Sequence, residues 1–486
     1  MLLLAVGLAV AAPPAAAARY PPVVVIVFDE FPVDSLLRPD GRIDRVRYPG
    51  FGRLARQSTW FPNAFSAQDR TRVALPAILD GRRPRRGTRP TSADHPSNLF
   101  SLLSSRGYRV EASEPVTTLC PRAICPHSLR RGPGPPPFFL SRRVARFRHM
   151  VRSIRRTRRP RLLFHHQILP HVPWEFLPSG RRYREDPTPW YRGLSSLFGF
   201  HDVFLTNQNQ QRHLLQVGFV DREIDLLLSR LERVGLLRRA LLVVTADHGV
   251  GFDLSVPDRR SITPGNIDEV APVPFFVKRP GQSKGRVDRA FVHTVDVVPT
   301  IADLLNLGRL WPMTGRSALR RQGAHTVRIP TSDLNGWVSI RPRALAKARA
   351  VNRRQKARLF GTGTDSLYRL GPNRGLLGRS LAGFAIQPAG AKATGFVPEV
   401  DFSASTGDAP TWFTGMLTAD SSAGTTRELA LALNGRIAAV GRAFRLREDT
   451  SDRFSLLVPE AQLRPGRNEA SLFIVEDGRL VRVEPD

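Results

Sequence analysis

Two apolar runs that end in acidic or imidazole side chains constrain the fold of this chain more than any other feature. Residues 23–28, VVVIVF, lead into Asp29 and Glu30, and residues 241–250, LLVVTADHGV, contain Asp247 and His248. Runs this apolar are typical of strands buried on both faces, and the glycine after the second allows a sharp turn. Alone, Asp247 could equally cap the next element beside an incidental histidine, but two such strand ends favour ligands gathered at the carboxyl edge of one sheet.

The order of the remaining segments predicts the fold class. Residues 161–169 form a third apolar run, and residues 211–236 have apolar side chains at helical spacing directly before the strand at 241. This alternation predicts an α/β fold with a central, mostly parallel sheet sandwiched by helices. After about residue 383, short alternating strands and the hairpin signal Asn434-Gly435 indicate a small C-terminal β domain, interpreted as a sandwich.

The chain therefore divides into four predicted regions. They are a signal peptide or truncated membrane segment at 1–21, a catalytic domain at 22–325, a connector at 326–380, and the small β domain at 381–486.

The charge of the chain points to anionic partners without pointing to nucleic acid. The formal net charge is +31 over 486 residues. Most of the excess is arginine scattered along the chain, and no zinc-finger, RRM or helix-turn-helix pattern accompanies it, so nucleic-acid binding is not expected. An anionic substrate or an anionic membrane surface remains compatible with this charge.

Two features, the N-terminal segment and the cysteine pair, predict an extracytoplasmic protein, either secreted or membrane-anchored. Residues 1–18 are apolar and rich in small side chains, as in a signal peptide or the end of a membrane segment. Cys120 and Cys125 are too few for a zinc site and favour a small disulfide loop. Residues 141–161 have an amphipathic helical pattern, interpreted as a solvated surface or, alternatively, a membrane-surface helix.

Five motifs occur in an order that resembles the sulfatase-like branch of the alkaline phosphatase superfamily, over roughly residues 22–310. They are Asp29-Glu30, Thr71 ahead of ALPAILDGR, His171-x-Pro173, the ADHG of residues 246–249, and the VDVVPT of residues 295–300. The resemblance implies an α/β sandwich that holds metal at the carboxyl ends of the strands. It also implies transfer of sulfuryl or phosphoryl groups through a covalently modified nucleophile.

The position of the nucleophile follows from this resemblance. Sulfatases begin Cys-x-Pro-Ser-Arg ten residues before the glycine of Leu-x-Gly-Arg, and in this chain that glycine is Gly81, which points to Thr71. Without cysteine or serine there, the formylglycine nucleophile of sulfatases is not expected. A threonine is similar instead to the lipoteichoic-acid synthase and phosphoethanolamine transferase branches, which move phosphoryl groups from lipids. Ser66 is the alternative nucleophile.

The resemblance also implies the roles of other residues. Asp29, Thr71, Asp247 and His248 are expected to bind a divalent metal, with Glu30 competing for the first carboxylate position. Zn²⁺ or Mn²⁺ suits this set best, and Ca²⁺ or Mg²⁺ is the alternative. His171 is expected to protonate the leaving oxygen, or else to pack in a loop. The cations assigned to the transferred group are Arg72 and Lys278, although both are compatible with ordinary solvated charges.

The remaining polar residues near these motifs receive weaker interpretations. Asp296 is expected to cap a helix, and His201 and His213 are expected to be structural. The pair His165 and His166, at a strand end, is left open.

The predicted function is a metal-dependent hydrolase or transferase that acts on phosphate esters or diesters through a threonine nucleophile. Its substrate would be anionic and linked to a lipid or glycan. Two alternatives remain: a sulfuric ester hydrolase, and a catalytically silent protein that binds anionic glycans or lipids.

Overall fold

The computed structural model describes residues 20–126, 129–130, 142–183, 202–254, 258–308, 310–320, 323–418, 427–445 and 452–486. Most of the predicted N-terminal segment 1–21, together with His201, lies outside the described residues. Within them, no helix combines the length and the apolar character needed to cross a bilayer.

The strands and helices are numbered in chain order. The strands are β1 Val23–Asp29, β2 Thr59–Trp60, β3 Ala64–Phe65, β4 Arg109–Glu114, β5 Leu129–Arg130, β6 Arg161–Pro170, β7 Arg182–Tyr183, β8 Leu241–Ala246, β9 Phe275–Lys278, β10 Arg286–Val287, β11 Val292–His293, β12 Val327–Pro330, β13 Trp337–Ile340, β14 Ile386–Thr394, β15 Glu399–Phe402, β16 Asp408–Ala409, β17 Trp412–Thr418, β18 Glu428–Leu433, β19 Arg436–Arg442, β20 Asp452–Leu457, β21 Gly466–Glu476 and β22 Arg479–Pro485. The α-helices are α1 Pro49–Ala55, α2 Thr71–Asp80, α3 Leu99–Ser105, α4 Arg143–Ser153, α5 Val203–Arg233, α6 Ile267–Val270, α7 Val297–Leu305 and α8 Pro342–Phe360.

The central sheet has the strand order β10-β2-β9-β8-β1-β6-β4-β5. β1 lies between β6 and β8 and runs parallel to both, and β4 runs parallel to β6. β9 runs antiparallel to β8. The three apolar runs at β1, β6 and β8 are buried along their whole length. This arrangement confirms the predicted mostly parallel sheet.

Alternate residues of β1 divide the core into two layers. Val23, Val25 and Val27 pack in one apolar cluster with α2, α3 and α7. Val24 and Ile26 pack in another cluster with α1, α4 and α5. Both faces of the sheet are therefore covered by helices, as expected for parallel strands.

The helix predicted at 211–236 is longer at its amino end, because α5 begins at Val203. The side chain of Asp202 accepts a hydrogen bond from the Leu205 amide at 2.8 Å and caps the helix. Phe204 and Leu205 then pack with the C-terminal β region rather than with the central sheet. The additional turns are therefore stabilised by a tertiary contact that helical spacing does not reveal.

The C-terminal region is rich in β-structure, as predicted; eight of its nine described strands belong to one sheet, and β16 pairs with β7. The order is β19-β18-β21-β22-β14-β17-β20, and β15 also pairs with β21. The sheet curls so that Phe444, after β19, exchanges two backbone hydrogen bonds with Arg453 of β20. Asn434-Gly435 forms the predicted hairpin turn, with φ values of 50° and 78°.

The segment predicted as a connector is docked on the N-terminal half of the chain through α8. Arg349 and Arg353 both donate to the carboxylate of Asp34, at 2.7 and 3.1 Å. Lys356 donates to the carbonyl oxygens of Asp34, Ser35 and Leu37. The turn after β1 is thus held by side chains of α8 that lie more than 300 residues further along the chain. The boundaries at 325 and 380 themselves remain predictions.

Two predictions about the region around β4 and α4 have clear outcomes. Cys120 and Cys125 form the predicted disulfide. Phe147 and Val151 of α4 are buried in the core beside α5. The alternative of a membrane-surface helix is therefore wrong, because the apolar side of α4 already packs within the protein.

A buried carboxylic acid on α5 makes the stability of the fold depend on pH. Glu223 accepts a hydrogen bond from Gln167 of β6 at 2.6 Å, and its other oxygen has no hydrogen-bond partner among the described residues. Burial raises the pKa of Glu223 to about 8. The folded state therefore keeps a proton that the unfolded chain has lost, so this stabilisation is complete below about pH 4.5 and disappears as the pH rises through 8.

The free energy of unfolding of the wild type should fall between pH 5 and pH 9 as Glu223 loses its proton. We expect this fall to be smaller in Glu223→Gln by on the order of 3 kcal/mol. Denaturant titrations at several pH values would measure it. Glu232→Gln is the matched control, because Glu232 is exposed on the same helix. Equal pH slopes for Glu223→Gln and the wild type would contradict this assignment.

Candidate metal centre

The carboxyl ends of three parallel strands bring the predicted ligands to one edge of the central sheet. Asp29 ends β1, His171 follows β6, and Asp247 and His248 follow β8. Thr71 reaches the same place as the first residue of α2. The structure therefore gathers residues that are up to 219 positions apart in the chain (248 minus 29) around one buried space.

The Thr71 hydroxyl contacts two of the predicted ligands. Thr71 Oγ1 lies 3.4 Å from Asp29 Oδ1 and 3.3 Å from His248 Nε2. His248 Nε2 is in turn 3.6 Å from Asp247 Oδ2. No side chain caps α2, so the helix also presents its amino end beside this hydroxyl.

The hydrogen bonds of His248 show what its inner nitrogen can bind. Nδ1 lies 2.9 Å from the carbonyl oxygen of Gly249, which can only accept, so Nδ1 carries the proton. The lone pair of Nε2 then faces two carboxylates. Burial lowers the pKa of His248 to about 3, which keeps the imidazole neutral.

The two aspartates complete a donor set that fits a divalent cation. Burial, followed by the charge of Asp247, raises the pKa of Asp29 well above its usual range. Burial likewise raises the pKa of Asp247 to about 7, and Asp247 Oδ2 has no hydrogen-bond partner among the described residues. Two buried carboxylates beside an imidazole lone pair are costly without a cation, and this donor set suits Zn²⁺ or Mn²⁺.

Glu30, which was expected to compete for the first carboxylate position at the metal, forms an ion pair with Arg259. Arg259 donates to both of its oxygens, at 2.7 and 3.2 Å. Burial alone would raise the pKa of Glu30, but Arg259 and then His171 lower it below its usual value. Glu30, Asp29 and His171 do lie within ligand distance of one another. Because Arg259 already compensates the Glu30 charge, Asp29, Asp247 and His248 form the better metal site.

His171 is held firmly on the other side of Glu30. Its Nε2 lies 3.4 Å from Glu30 Oε1, and its Nδ1 lies 2.6 Å from the carbonyl oxygen of Val172. Arg143 of α4 donates to the carbonyl oxygens of His171 and Pro173, at 2.8 and 2.6 Å. Burial lowers the pKa of His171 to about 4, although Glu30 opposes this shift. The imidazole is therefore neutral in the protein near pH 7.

Lys278 does not reach this site, which corrects the prediction that it binds the transferred group. It pairs with Leu242 at the start of β8, whereas Asp247 follows the end of that strand. Because β9 runs antiparallel to β8, its carboxyl end lies at the opposite edge of the sheet. Arg72 is exposed on the first turn of α2, near the cluster.

Arg260 is a cation that the fold does bring to this site. Its Nε lies 3.6 Å from Glu30 Oε1 and 3.8 Å from Asp258, and it has no hydrogen-bond partner among the described residues. The Arg260 charge lowers the pKa values of His171 and His248, after burial. Arg259 and Arg260 gave no signal in the sequence, because arginines are abundant throughout this chain.

The other polar residues have local roles. Asp296 accepts hydrogen bonds from the amides of His293 and Arg316, both at 2.8 Å, at the start of the turn leading into α7. His213 lies 3.3 Å from the carbonyl oxygen of Glu30 and packs on Trp174. Ser66, the alternative nucleophile, is buried, and its hydroxyl makes no hydrogen bond within the described part of the chain.

Known proteins resemble parts of this chain. Residues 141–307 match the family model described as Sulfatase. An endo-4-O-sulfatase of Bacteroides thetaiotaomicron is 26% identical over 166 residues, which are 32% of this chain and 31% of the relative. A 2,3-bisphosphoglycerate-independent phosphoglycerate mutase of Thermomicrobium roseum is 34% identical over 98 residues, which are 20% of this chain and 18% of the relative.

Among solved structures, the phosphonate monoester hydrolase of Agrobacterium radiobacter superposes with a TM-score of 0.48 at 16% identity. The superposition covers 68% of this chain and 82% of that one.

The alignments to the two curated relatives span about a third or less of the length of each. The segment matched by the family model contains His171, Asp247 and His248, whereas Asp29 and Thr71 lie before it. Residues 141–307 are thus similar to the sulfatase family to which the ordered motifs pointed.

Proposed function

We propose that this protein is a metal-dependent enzyme that cleaves or transfers phosphate esters or diesters through Thr71. The observation that carries the proposal is the position of the Thr71 hydroxyl, 3.4 Å from Asp29 and 3.3 Å from His248 at the amino end of α2. A threonine hydroxyl is a weak nucleophile at neutral pH unless a metal or a base activates it. The neighbouring carboxylate, imidazole and helix amino end are therefore consistent with activation of the Thr71 hydroxyl.

The proposed chemistry has two displacements. Thr71 Oγ1 forms a bond to phosphorus, the bond from phosphorus to the ester oxygen breaks, and the hydroxyl proton passes to the facing carboxylate of Asp29. A divalent metal held by Asp29, Asp247, His248 and Thr71 would supply Lewis acidity and make the hydroxyl more acidic. Water or an acceptor alcohol then attacks phosphorus and gives its proton to His171, the bond from phosphorus to Thr71 Oγ1 breaks, and the proton on Asp29 returns to Thr71 Oγ1.

His171 is proposed to protonate the leaving oxygen. The protein alone keeps it neutral, but an anionic substrate would add to the influence of Glu30, which already favours the protonated imidazole. Arg143 holds the backbone of His171 and so fixes the direction from which the proton arrives. Glu30 and Arg143 act here as positioning residues.

The residue type at position 71 favours phosphoryl over sulfuryl transfer. A threonine cannot supply the formylglycine expected of true sulfatases, whereas it can carry a phosphoryl group as an ordinary ester. The partial similarity to a phosphoglycerate mutase supports the same choice. A lipid-linked or glycan-linked phosphate, met outside the cytoplasm, agrees with the disulfide and the positive charge.

A sulfuric ester hydrolase is the second candidate, because residues 141–307 match the sulfatase model and one relative is an endo-4-O-sulfatase. Turnover of nitrophenyl phosphate, bis-nitrophenyl phosphate, phenylphosphonate ester and nitrophenyl sulfate would separate the candidates. We expect hydrolysis of the phosphate substrates after loading with Zn²⁺ or Mn²⁺. Turnover of the sulfate alone would overturn the proposal, and stoichiometric metal binding without any turnover would favour the silent anion-binding alternative.

Arg260 is proposed to bind the non-bridging oxygens of the transferred group. We expect Arg260→Ala to lower kcat/KM for the phosphate substrate by about 10- to 100-fold, the value of one charge-assisted hydrogen bond. Arg260→Lys should recover part of this loss. Lys278→Met is the matched control, since Lys278 lies at the opposite edge of the sheet. A larger loss from Lys278→Met than from Arg260→Ala would reverse the assignment.

A further inference from the structure

His166 is a buried imidazole whose nitrogens are unsatisfied. It lies within β6 and is 1% exposed, and neither ring nitrogen has a hydrogen-bond partner among the described residues. A buried polar group without a partner costs roughly 1–3 kcal/mol, and such groups are rare in native proteins. We therefore expect a nitrogen of this imidazole to bind a group that the described residues do not supply.

The direction of β6 points His166 towards the metal centre. Leu162 and Phe164, which share a strand face with it, pack in the layer that contains α2. His165 has the opposite orientation and packs edge-on against Phe147 of α4. Only His166 of this pair therefore lies on the side from which Thr71 approaches.

The distances suit a shared cation better than hydrogen bonds. His166 Nε2 lies 3.6 Å from Asp29 Oδ2 and 4.0 Å from Asp247 Oδ2. Both exceed the length of an N–H···O hydrogen bond, about 2.7–3.2 Å. Two ligands that each lie about 2.0–2.2 Å from one metal ion are separated by roughly 3–4 Å.

Asp247 Oδ2 connects the two histidines of the site. It lies 3.6 Å from His248 Nε2 and 4.0 Å from His166 Nε2, and it accepts no hydrogen bond in the described part of the chain. An unpartnered carboxylate oxygen between two imidazoles is the arrangement that a coordinated cation would satisfy.

We propose that His166 is a second imidazole ligand of the metal centre and that it selects transition metals over Ca²⁺ and Mg²⁺. This inference rests on the proposed metal-dependent function and goes beyond the ligands that the motifs supplied. Without His166 the set is mainly oxygen donors, which Ca²⁺ and Mg²⁺ also accept. With two nitrogen donors, the set favours Zn²⁺, Mn²⁺ or Co²⁺.

Metal titration of the full chain tests this role without an activity assay. We expect His166→Gln to weaken Zn²⁺ binding by at least about 10-fold while Ca²⁺ binding stays as weak as in the wild type. The Co²⁺-loaded variant should also show a changed visible absorption spectrum, which reports the ligand set. His165→Gln is the matched control, because it removes an equally buried imidazole from the same strand.

The outcomes separate this inference from the proposed function. Unchanged Zn²⁺ affinity and Co²⁺ spectrum in His166→Gln would overturn the ligand role alone. Equal losses in His166→Gln and His165→Gln would also overturn it, since they would indicate a structural effect. A wild-type protein that binds no stoichiometric metal would overturn the proposed function itself, whereas loss of binding in Asp247→Asn would support it.

Discussion

Thr71→Ala is expected to lower kcat/KM for phosphate ester cleavage by at least about 10³-fold, because it removes the atom proposed to form the bond to phosphorus. Thr71 lies at the first position of α2, partly exposed, so the helix itself should persist. Steady-state kinetics with a phosphate ester, together with circular dichroism and metal content, would measure both effects. The metal should still bind through Asp29, Asp247 and His248, with reduced affinity.

Two further variants make this experiment specific. Thr71→Ser keeps the hydroxyl and should retain much of the activity. Thr71→Val keeps the shape of the side chain without the hydroxyl and should be as inactive as Thr71→Ala. A mass increase of wild-type Thr71 by one phosphoryl group after rapid quenching would identify the covalent intermediate directly. Full activity in Thr71→Val would exclude Thr71 as the nucleophile and turn attention to Ser66.

Arg259→Met is expected to destabilise the protein by about 3–5 kcal/mol, because buried Glu30 loses both hydrogen bonds from a guanidinium and keeps only the more distant charge of Arg260. Arg259 is 3% exposed and Glu30 is fully buried, so neither charge can turn to solvent. Denaturant unfolding would measure the loss of free energy. The effect should be among the largest of any single change at the site, since this guanidinium donates hydrogen bonds to both oxygens of Glu30.

The double variant Glu30→Gln with Arg259→Met distinguishes an ion pair from a metal ligand. If Glu30 serves Arg259, the double variant should be more stable than Arg259→Met alone, because no unpaired charge remains. Glu30→Gln should also keep the metal stoichiometry of the wild type. Loss of metal from Glu30→Gln would restore Glu30 to the ligand set, as the motif resemblance first implied.

The strands and most of the site could be predicted because their signals are local. Apolar runs at β1, β6 and β8 mark buried strands, and parallel pairing then places Asp29, Asp247 and His248 at one edge. The direction of β9 was not predictable in this way, since a short apolar strand reads the same in either orientation. Lys278 was therefore assigned to the wrong edge of the sheet.

The residues that sequence reasoning missed depend on pairings across the fold. Arg259 is recognisable only once the fold brings its guanidinium within 2.7 and 3.2 Å of the two oxygens of Glu30. Arg143 looked like one of many charges on a surface helix, yet its guanidinium is buried under the loop that carries His171. The ambiguity of His165 and His166 was likewise resolved by which face of β6 each one occupies.

The docking of α8 on the turn after β1 determines which fragments of this chain could be produced alone. A fragment that stops at the predicted boundary of residue 325 would remove Arg349, Arg353 and Lys356 together. Asp34 would then lose both guanidinium partners, and the carbonyl oxygens of Asp34, Ser35 and Leu37 would lose their shared ammonium. We therefore expect a stable fragment of this chain to extend at least to the end of α8 at Phe360, although the sequence motifs end some fifty residues earlier, near residue 310.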